Sequence, residues 1–261
     1  MTISYLHMMG DIRVAAPLAV ILAILAWKAG YLTKAGAFAA ALVGLPVFAA
    51  FNWPGYLVFL VFFLARDAIT RHTARKSAKK SGEEPARLEA KTFAAVFWPG
   101  VLPLGAAGAF ILSSEPATQF LALTFYLASL TTPFGDWAST EMGKAYGKKT
   151  YQLITFERVR RGSRGGVSLE GSIWGVAAIL IFAIFAVVIF RAGGAGLRLP
   201  DLGPKEFVIV CCAALLSNFI ESVIAGVFAQ FEREPNKRLL CFLGSLVGSG
   251  LAVFFTNLPQ A

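Results

Sequence analysis

Charge is scarce in this 261-residue sequence: Asp, Glu, Lys and Arg together make up 15% of it. A soluble domain carries about 25%. So little charge beside so many apolar residues excludes a disordered chain. Cysteine is also rare. Cys211, Cys212 and Cys241 are too few for a disulfide scaffold and lack CxxC spacing. All three fall inside apolar runs, where a thiol serves as a small buried apolar side chain. The only histidines are His7 and His72, with no acidic or cysteine neighbour at ligand spacing. Both read as surface residues, and neither a Ser-His-Asp set nor a zinc-hydrolase motif is present. A Walker-type nucleotide loop is missing too. Only three residues separate Gly143 from Gly147, Lys149 intervenes before Thr150, and no strand precedes the segment.

What the chain has in excess is apolar surface. Hydrophobic residues make up 57%, 23 residues are Phe, and mean hydropathy is +0.66. A helix needs about 20 apolar residues to span a bilayer core. Eight runs qualify or come close: Ala15–Trp27, Ala35–Phe51, Gly55–Ile69, Phe93–Leu112, Ala117–Phe134, Ser172–Phe190, Glu206–Phe228 and Leu239–Thr256. The first and third are short and imply tilt, polar extensions or partial re-entry. The first run lacks a basic leader and a small-residue cleavage site, so it is expected to persist as a helix. The expected fold is all-α: one polytopic membrane bundle of about eight helices, forming a single domain over residues 1–261.

The net charge of +9 raises the question of nucleic acid. Its distribution answers with topology instead. If the ends of expected helices one, three, five and seven share a side, that side holds 20 of the 24 Lys and Arg. Such a bias marks the cytoplasmic face, which places both termini outside. Two long cytoplasmic loops result, about 70–91 and 135–168. The first holds Arg75, Lys76, Lys79 and Lys80, then Ser81, Gly82, Glu83 and Glu84, and reads as a solvated helical extension near anionic headgroups.

The second loop mixes acids, hydroxyls, glycines and bases. Asp136 stands where the fifth expected helix leaves the bilayer, and a carboxylate there demands water, a partner or a metal. On a helix, Asp136, Ser139 and Thr140 share a face, whereas Glu141 points away. The two acids reach one Mg²⁺ only through water or across a broken helix. The alternative is a pair of interfacial acids balanced by Lys144 and Lys148. Further on, Arg158, Arg160, Arg161 and Arg164 alternate with Gly162, Gly165, Gly166 and Gly171. Arginine grips phosphate oxygens and glycine admits an anion to the backbone. Ser163 lies within this segment, and Ser168 is placed to cap the next helix, whose start favours an anion. The alternative is a flexible loop whose bases only set topology. In the seventh expected helix, Asn218, Glu221 and Ser222 form a polar cluster, either functional or interhelical glue. Gly244-x-x-x-Gly248 marks a close helix contact.

These residues resemble the phytyl-phosphate kinases of the vitamin E pathway, within a wider integral-membrane family known as domain of unknown function 92. The central likeness is the order of Asp136, Ser139, Glu141 and Gly143, then Arg161, Gly162, Ser163 and Gly165. Near the C-terminus, Asn218, Glu221 and Ser222 match, as does Gln230. Near the start, Trp27, Gly30, Leu32, Thr33, Gly36 and Ala37 match. Two departures stand out. Pro99-Gly100 replaces the usual Asn-Gly, and only Asn236 survives of an Asn-rich stretch.

The resemblance implies a kinase that passes a phosphoryl group from a nucleoside triphosphate to phytyl or geranylgeranyl phosphate. A distant similarity to CTP-dependent lipid kinases and phosphatidate cytidylyltransferases implies CTP as donor, with ATP or UTP as alternatives. On that reading Mg²⁺ is held by Asp136, Glu141 and Glu221. Arg160, Arg161, Arg164 and the Gly162–Gly166 backbone bind phosphate, with Ser139, Lys144, Lys148, Ser163, Ser168 and Asn218 beside them. Expected partners are membrane lipids, the isoprenoid monophosphate and the nucleotide, with no nucleic acid. The rival readings are a lipid cytidylyltransferase, an isoprenoid alcohol kinase, and a lipid-phosphate transporter.

Overall fold

The computed structural model describes residues 12–81, 89–163, 165–194, 197, 199–230 and 236–258. Within them lie seven helices: α1 (Ile12–Lys28), α2 (Lys34–Ser81), α3 (Phe93–Leu112), α4 (Pro116–Tyr146), α5 (Leu169–Gly194), α6 (Pro204–Gln230) and α7 (Lys237–Thr256). Three short strands separate α4 from α5: β1 (Thr150–Gln152), β2 (Arg158–Val159) and β3 (Gly166–Ser168). Five helices (α2, α3, α5, α6 and α7) are long and apolar enough to cross a membrane, and α1 is a shorter apolar helix.

Helix α2 covers the second and third expected spans. It breaks at Asn52, whose φ of 54° and ψ of −159° are not helical. These angles lie outside the left-handed helical basin that Asn favours, and Asn52 Oδ1 accepts the Trp53 N–H at 2.7 Å. The two arms fold back on each other. Gly44 lies against the Tyr56 ring, and the Phe48 and Tyr56 rings are 5.8 Å apart. Twelve residues of straight helix would separate Gly44 from Tyr56 by about 18 Å. Counting the arms separately, the described residues contain eight helical segments.

The hub is α4, which packs against α2, α3, α5, α6 and α7. It is not among the five apolar spans, and neighbouring helices bury most of it from Ala122 to Gly135. The core around it is aromatic: Phe51 meets Phe110 at 5.1 Å and Tyr126 at 4.5 Å, and the Tyr126 hydroxyl donates to Gly55 O at 2.6 Å. Of the three cysteines only Cys211 is buried; Cys212 is exposed and Cys241 is half-buried, which corrects the expectation that all three are core residues.

Both expected loops are more ordered than the sequence implies. Helix α2 continues to Ser81 and α4 to Tyr146, so residues 70–81 and 135–146 are helix. Gly82, Glu83 and Glu84 lie outside the described residues. The rest of the second loop forms an antiparallel sheet in the order β2-β1-β3, with Thr150 opposite both Val159 and Ser168. Gln152 Nε2 ties it to α6 by donating to Gly226 O at 3.2 Å.

The basic segments gather at one end of the bundle. Leu32 bridges Lys91, Lys91 pairs with Asp67, and Arg66 stacks on Trp137. Arg161 reaches Lys144, and Gly165 abuts Gly226. The opposite end is closed by Gly193 against Trp53 and Pro54. The chain termini lie outside the described residues.

A candidate active site at the basic end

The site begins with a fault in α4. Pro133 has no N–H, so the Ser129 carbonyl loses its helical donor. Ser245 of α7 replaces it, its Oγ donating to Ser129 O at 2.8 Å. Three residues on, the Asn218 amide of α6, oriented so that both its groups find partners, donates to Thr132 O at 3.1 Å and accepts from Asp136 N at 3.0 Å. These are the two groups that an uninterrupted helix pairs with each other. A buried backbone group left without a partner costs about 1–3 kcal/mol, so Asn218 and Ser245 make the fault tolerable. They also fix where Asp136 emerges.

Beyond the fault α4 is continuous. One face turns to α2. There Trp137 Nε1 donates to Thr70 Oγ1 at 3.2 Å, and Glu141 Oε2 accepts from Thr73 Oγ1 at 3.4 Å. Glu141 also pairs with Lys144 at 3.1 Å. Arg66 sits over the Trp137 ring, its Cζ 4.0 Å from the centroid. Beside it, Asp67 pairs with Arg71 at 2.8 Å and Lys91 at 3.2 Å. Burial pulls the Lys91 ammonium below its ordinary value, and the Asp67 carboxylate partly opposes this.

A second face of α4 packs on α5 through small residues. Ser139 Oγ donates to Asp136 O at 3.0 Å, and a methyl at Gly175 would stand 2.8 Å from the Ser139 Cβ. A methyl at Gly171 would meet the Gly143 Cα at 3.1 Å. Ser139 and Gly143 therefore lie in a helix-packing seam, away from Glu141, which faces α2. Ser168 does cap α5, accepting the Gly171 N–H at 3.2 Å. That helix start is not left open to an anion: Glu170 stands in its first turn, and its Oε2 accepts the Lys148 N–H at 3.2 Å.

The arginine-glycine segment folds as two linked turns. Ser163 N donates to Arg160 O at 3.0 Å, and Gly166 N donates to Ser163 O at 3.1 Å. Gly162 has φ of 82° and Gly165 of 65°, values that only glycine adopts without strain. Gly165 also lies on the backbone of Gly226, where a methyl would approach to 2.7 Å. Arg160 and Arg161 are exposed. Arg161 Nη1 donates to Lys144 O at 3.4 Å, and Gly162 faces the Lys144 side chain. Arg164 lies outside the described residues.

Glu141, Lys144, Arg161 and Gly162 are thus brought together; Arg160 adjoins them in the chain, and Asp136 stands on the same end of α4. Glu221 is 8% exposed and stands one helical turn beyond Asn218, its carboxylate against Gly244 of α7, whose carbonyl accepts the Ser217 hydroxyl. Gly244 and Gly248 are close-contact positions within this one bundle, the latter against Thr132. Among the described residues no three His, Cys, Asp or Glu side chains gather to hold an ion, so Asp136, Glu141 and Glu221 do not form one carboxylate cage. Asp136 and Glu141 of α4 could each still offer a carboxylate oxygen. Because α4 is unbroken between them, they share an ion only through water or phosphate oxygens, which is how Mg²⁺ is commonly bound.

The sequence reading missed Arg66, Asp67 and Lys91 as site residues. Their signal was an Arg-Asp pair closing an apolar run, where charge is costly unless paired.

The fold and this site define a polytopic helical membrane protein with a charged, partly buried centre at one end of its bundle. The chain belongs to the integral membrane protein DUF92 family, which it matches over residues 17–241. It is 32% identical over 213 residues to an uncharacterised membrane protein of Synechocystis, covering 80% of this chain and 78% of the other. It is 30% identical over 207 residues to the Arabidopsis thaliana "Protein VTE6, chloroplastic", covering 77% of this chain and 57% of that protein. A membrane protein of Methanocaldococcus jannaschii is 22% identical over 234 residues, 87% of this chain and 89% of the other. No solved structure matches.

Proposed function

We propose that this protein is a membrane-embedded isoprenoid-monophosphate kinase, working on the cytoplasmic side and using a nucleoside triphosphate, CTP by family likeness, to convert phytyl or geranylgeranyl phosphate to the diphosphate. Its similarity to Protein VTE6, chloroplastic supports the reading, as does the motif likeness to phytyl-phosphate kinases. The observation that carries it is the contact of Arg161 with the Lys144 carbonyl. It joins the basic turn to the acidic end of α4 at the edge of an apolar bundle. A lipid phosphate needs such an edge, with its tail among helices and its head among charges.

The acceptor phosphate is already an anion near neutral pH, so its oxygen attacks the γ-phosphorus without a general base. The new P–O bond forms as the bond to the bridging β-oxygen breaks, and nucleoside diphosphate leaves. Catalysis then rests on positioning and charge neutralisation. Arg160 and Arg161 hold phosphate oxygens, and Lys144 and Lys148 add positive charge. Asp136 and Glu141 are the residues to hold Mg²⁺, which supplies charge neutralisation across the phosphates.

The test is an assay of purified, reconstituted protein with phytyl or geranylgeranyl phosphate and each γ-labelled nucleotide. Label in an isoprenoid diphosphate is the expected result. Transfer of an α-label from CTP to lipid would replace the kinase with a cytidylyltransferase. Absence of any transfer would remove the enzymatic reading.

A further inference from the structure

Phe156 occupies the turn between β1 and β2 against two preferences at once. Its φ of 56° is disfavoured for a bulky side chain, and turns that need such a value normally use Gly or Asn. Its side chain is 78% exposed, more than any other described Phe, Tyr or Trp. The turn is not loose. Phe156 N donates to Gln152 O and Gln152 N donates to Glu157 O, both at 2.9 Å. The backbone is therefore closed on both sides while the ring stays outward. A strained position that presents a large apolar group points to a contact outside the chain.

The position of the turn selects the partner. β1 follows closely on the hub helix α4 and runs to α6. There Gln152 Nε2 donates to Gly226 O at 3.2 Å, and a methyl at Gly226 would meet Ile154 Cδ1 at 3.2 Å. Gly226 lies near the end of the apolar α6 span, which stops at Phe228. The hairpin thus crosses α6 where that helix leaves the bilayer, and Thr155 and Phe156 follow the crossing directly. At the same level Val227 and Phe228 are 40% and 39% exposed, as befits side chains that meet lipid. The residues after the ring add charge: Arg158 and Arg160 are exposed, with Glu157 before them. Aromatic rings and bases at the end of a span suit the interfacial layer, whose anionic headgroups attract the bases.

We propose that the β1–β2 turn is an interfacial anchor, with the Phe156 ring inserted into the bilayer leaflet at the basic end, beside anionic headgroups. The anchor sets the height of the chain that follows it. Arg160 and Arg161 lie shortly beyond the ring, in the segment that reaches Lys144. They are thereby kept at the level of lipid phosphates, so an acceptor is met in the membrane plane rather than drawn out of it. The anchor stands without the kinase reading; only this consequence for the acceptor rests on it.

The first test needs no turnover. p-Benzoylphenylalanine replaces Phe156, and in a parallel sample Phe228, in protein reconstituted in vesicles of phosphatidylcholine and phosphatidylglycerol. After illumination, mass spectrometry of the peptides should find phospholipid attached at both positions. Lipid attached at position 228 but not at 156 overturns the anchor, and so does a cross-link from 156 to a second copy of the chain. The second test is kinetic. Phe156→Gly removes the ring yet adopts the same φ without strain, so the hairpin persists. Its KM for phytyl phosphate in the vesicles should rise about fivefold with kcat unchanged, the scale for partly withdrawing one ring from an apolar layer. Phe156→Trp keeps an interfacial ring and should hold KM within about twofold of wild type. An unchanged KM in Phe156→Gly, or a fall in kcat alone, overturns the link to acceptor capture. Wild-type protein that transfers no phosphate, with lipid still attached at position 156, removes the kinase reading and leaves the anchor standing.

Discussion

From Pro116 to Leu130, α4 is held by rings and alkyl groups: Tyr126 packs on Phe51 and Phe190, and Leu123, Leu127 and Leu130 are fully enclosed. From Asp136 to Tyr146 the same helix is held by ions and hydrogen bonds. Glu141 meets Lys144 and Thr73, and the Tyr146 hydroxyl meets His72 Nε2 at 2.7 Å. The Lys76 ammonium lies 3.2 Å over the Tyr146 ring. Pro133 separates the two halves. The apolar half fixes where α4 stands among its neighbours, through contacts that many side chains of similar volume can supply. The polar half depends on particular atoms at particular distances. One element therefore carries stability at one end and chemistry at the other, and substitutions in the two halves should fail in different ways.

The largest effect is expected for Asp136→Asn, which removes a carboxylate but not its volume. Turnover should fall about 100-fold or more, the scale for a lost transition-state charge contact, while size-exclusion elution in detergent stays unchanged. Full activity would return Asp136 to the role of an interfacial acid. Next comes Arg161→Ala. Its kcat/KM for nucleotide should fall about tenfold or more, because one charge-assisted phosphate contact is lost. Unchanged steady-state constants would leave the basic turn as a topology signal.

Asn218→Ala tests the boundary between the halves. It strands Thr132 O and Asp136 N and should cost about 1–3 kcal/mol of stability. It should also lower activity, because Asp136 loses its placement, so thermal stability and turnover are measured on the same sample. A variant that loses stability but keeps full turnover would separate the helix fault from the site. Tyr126→Phe belongs to the apolar half. Loss of its hydrogen bond to Gly55 should cost about 1 kcal/mol, with turnover intact at a temperature where the protein is folded. The smallest change is expected for Glu221→Gln. Its carboxylate lies in the α6–α7 packing rather than in a three-acid group, so the half-saturating Mg²⁺ concentration should stay within about twofold of wild type. A larger shift would restore Glu221 as an ion ligand.

The apolar half was legible in the sequence because hydropathy alone locates long spans. The break between Ala35–Phe51 and Gly55–Ile69 falls at Asn52, where an Asn followed by a Pro two residues on interrupts the apolar pattern. The polar half was legible in composition but not in arrangement. Glu141, Lys144 and Arg161 read as one charged loop, but the first two stand on α4, and the local helical period could not show which helix each would face. In one dimension Gly143 falls in a failed nucleotide-loop pattern, Gly171 in the arginine-glycine segment and Gly175 in an apolar span. In three dimensions they are the seam that lets α4 and α5 approach. Arg66 was hidden because, in sequence, its charge does the same topological work as every other base at that end. Only the Trp137 ring beneath it gives it a distinct role. Ser245 and Asn218 were unreadable as helix repairs, since the groups they satisfy lie on a different helix.

The central claim is that the arginine-glycine turn and the acidic end of α4 are one phosphate-binding surface. Hydrogen–deuterium exchange on reconstituted protein tests it most directly, comparing the free state with protein saturated by phytyl phosphate, Mg²⁺ and a non-hydrolysable CTP analogue. Slower exchange is expected together in 136–147 and 158–166, with the 193–206 end unchanged. Protection of only one of those two segments, or protection centred on the opposite end of the bundle, would contradict it.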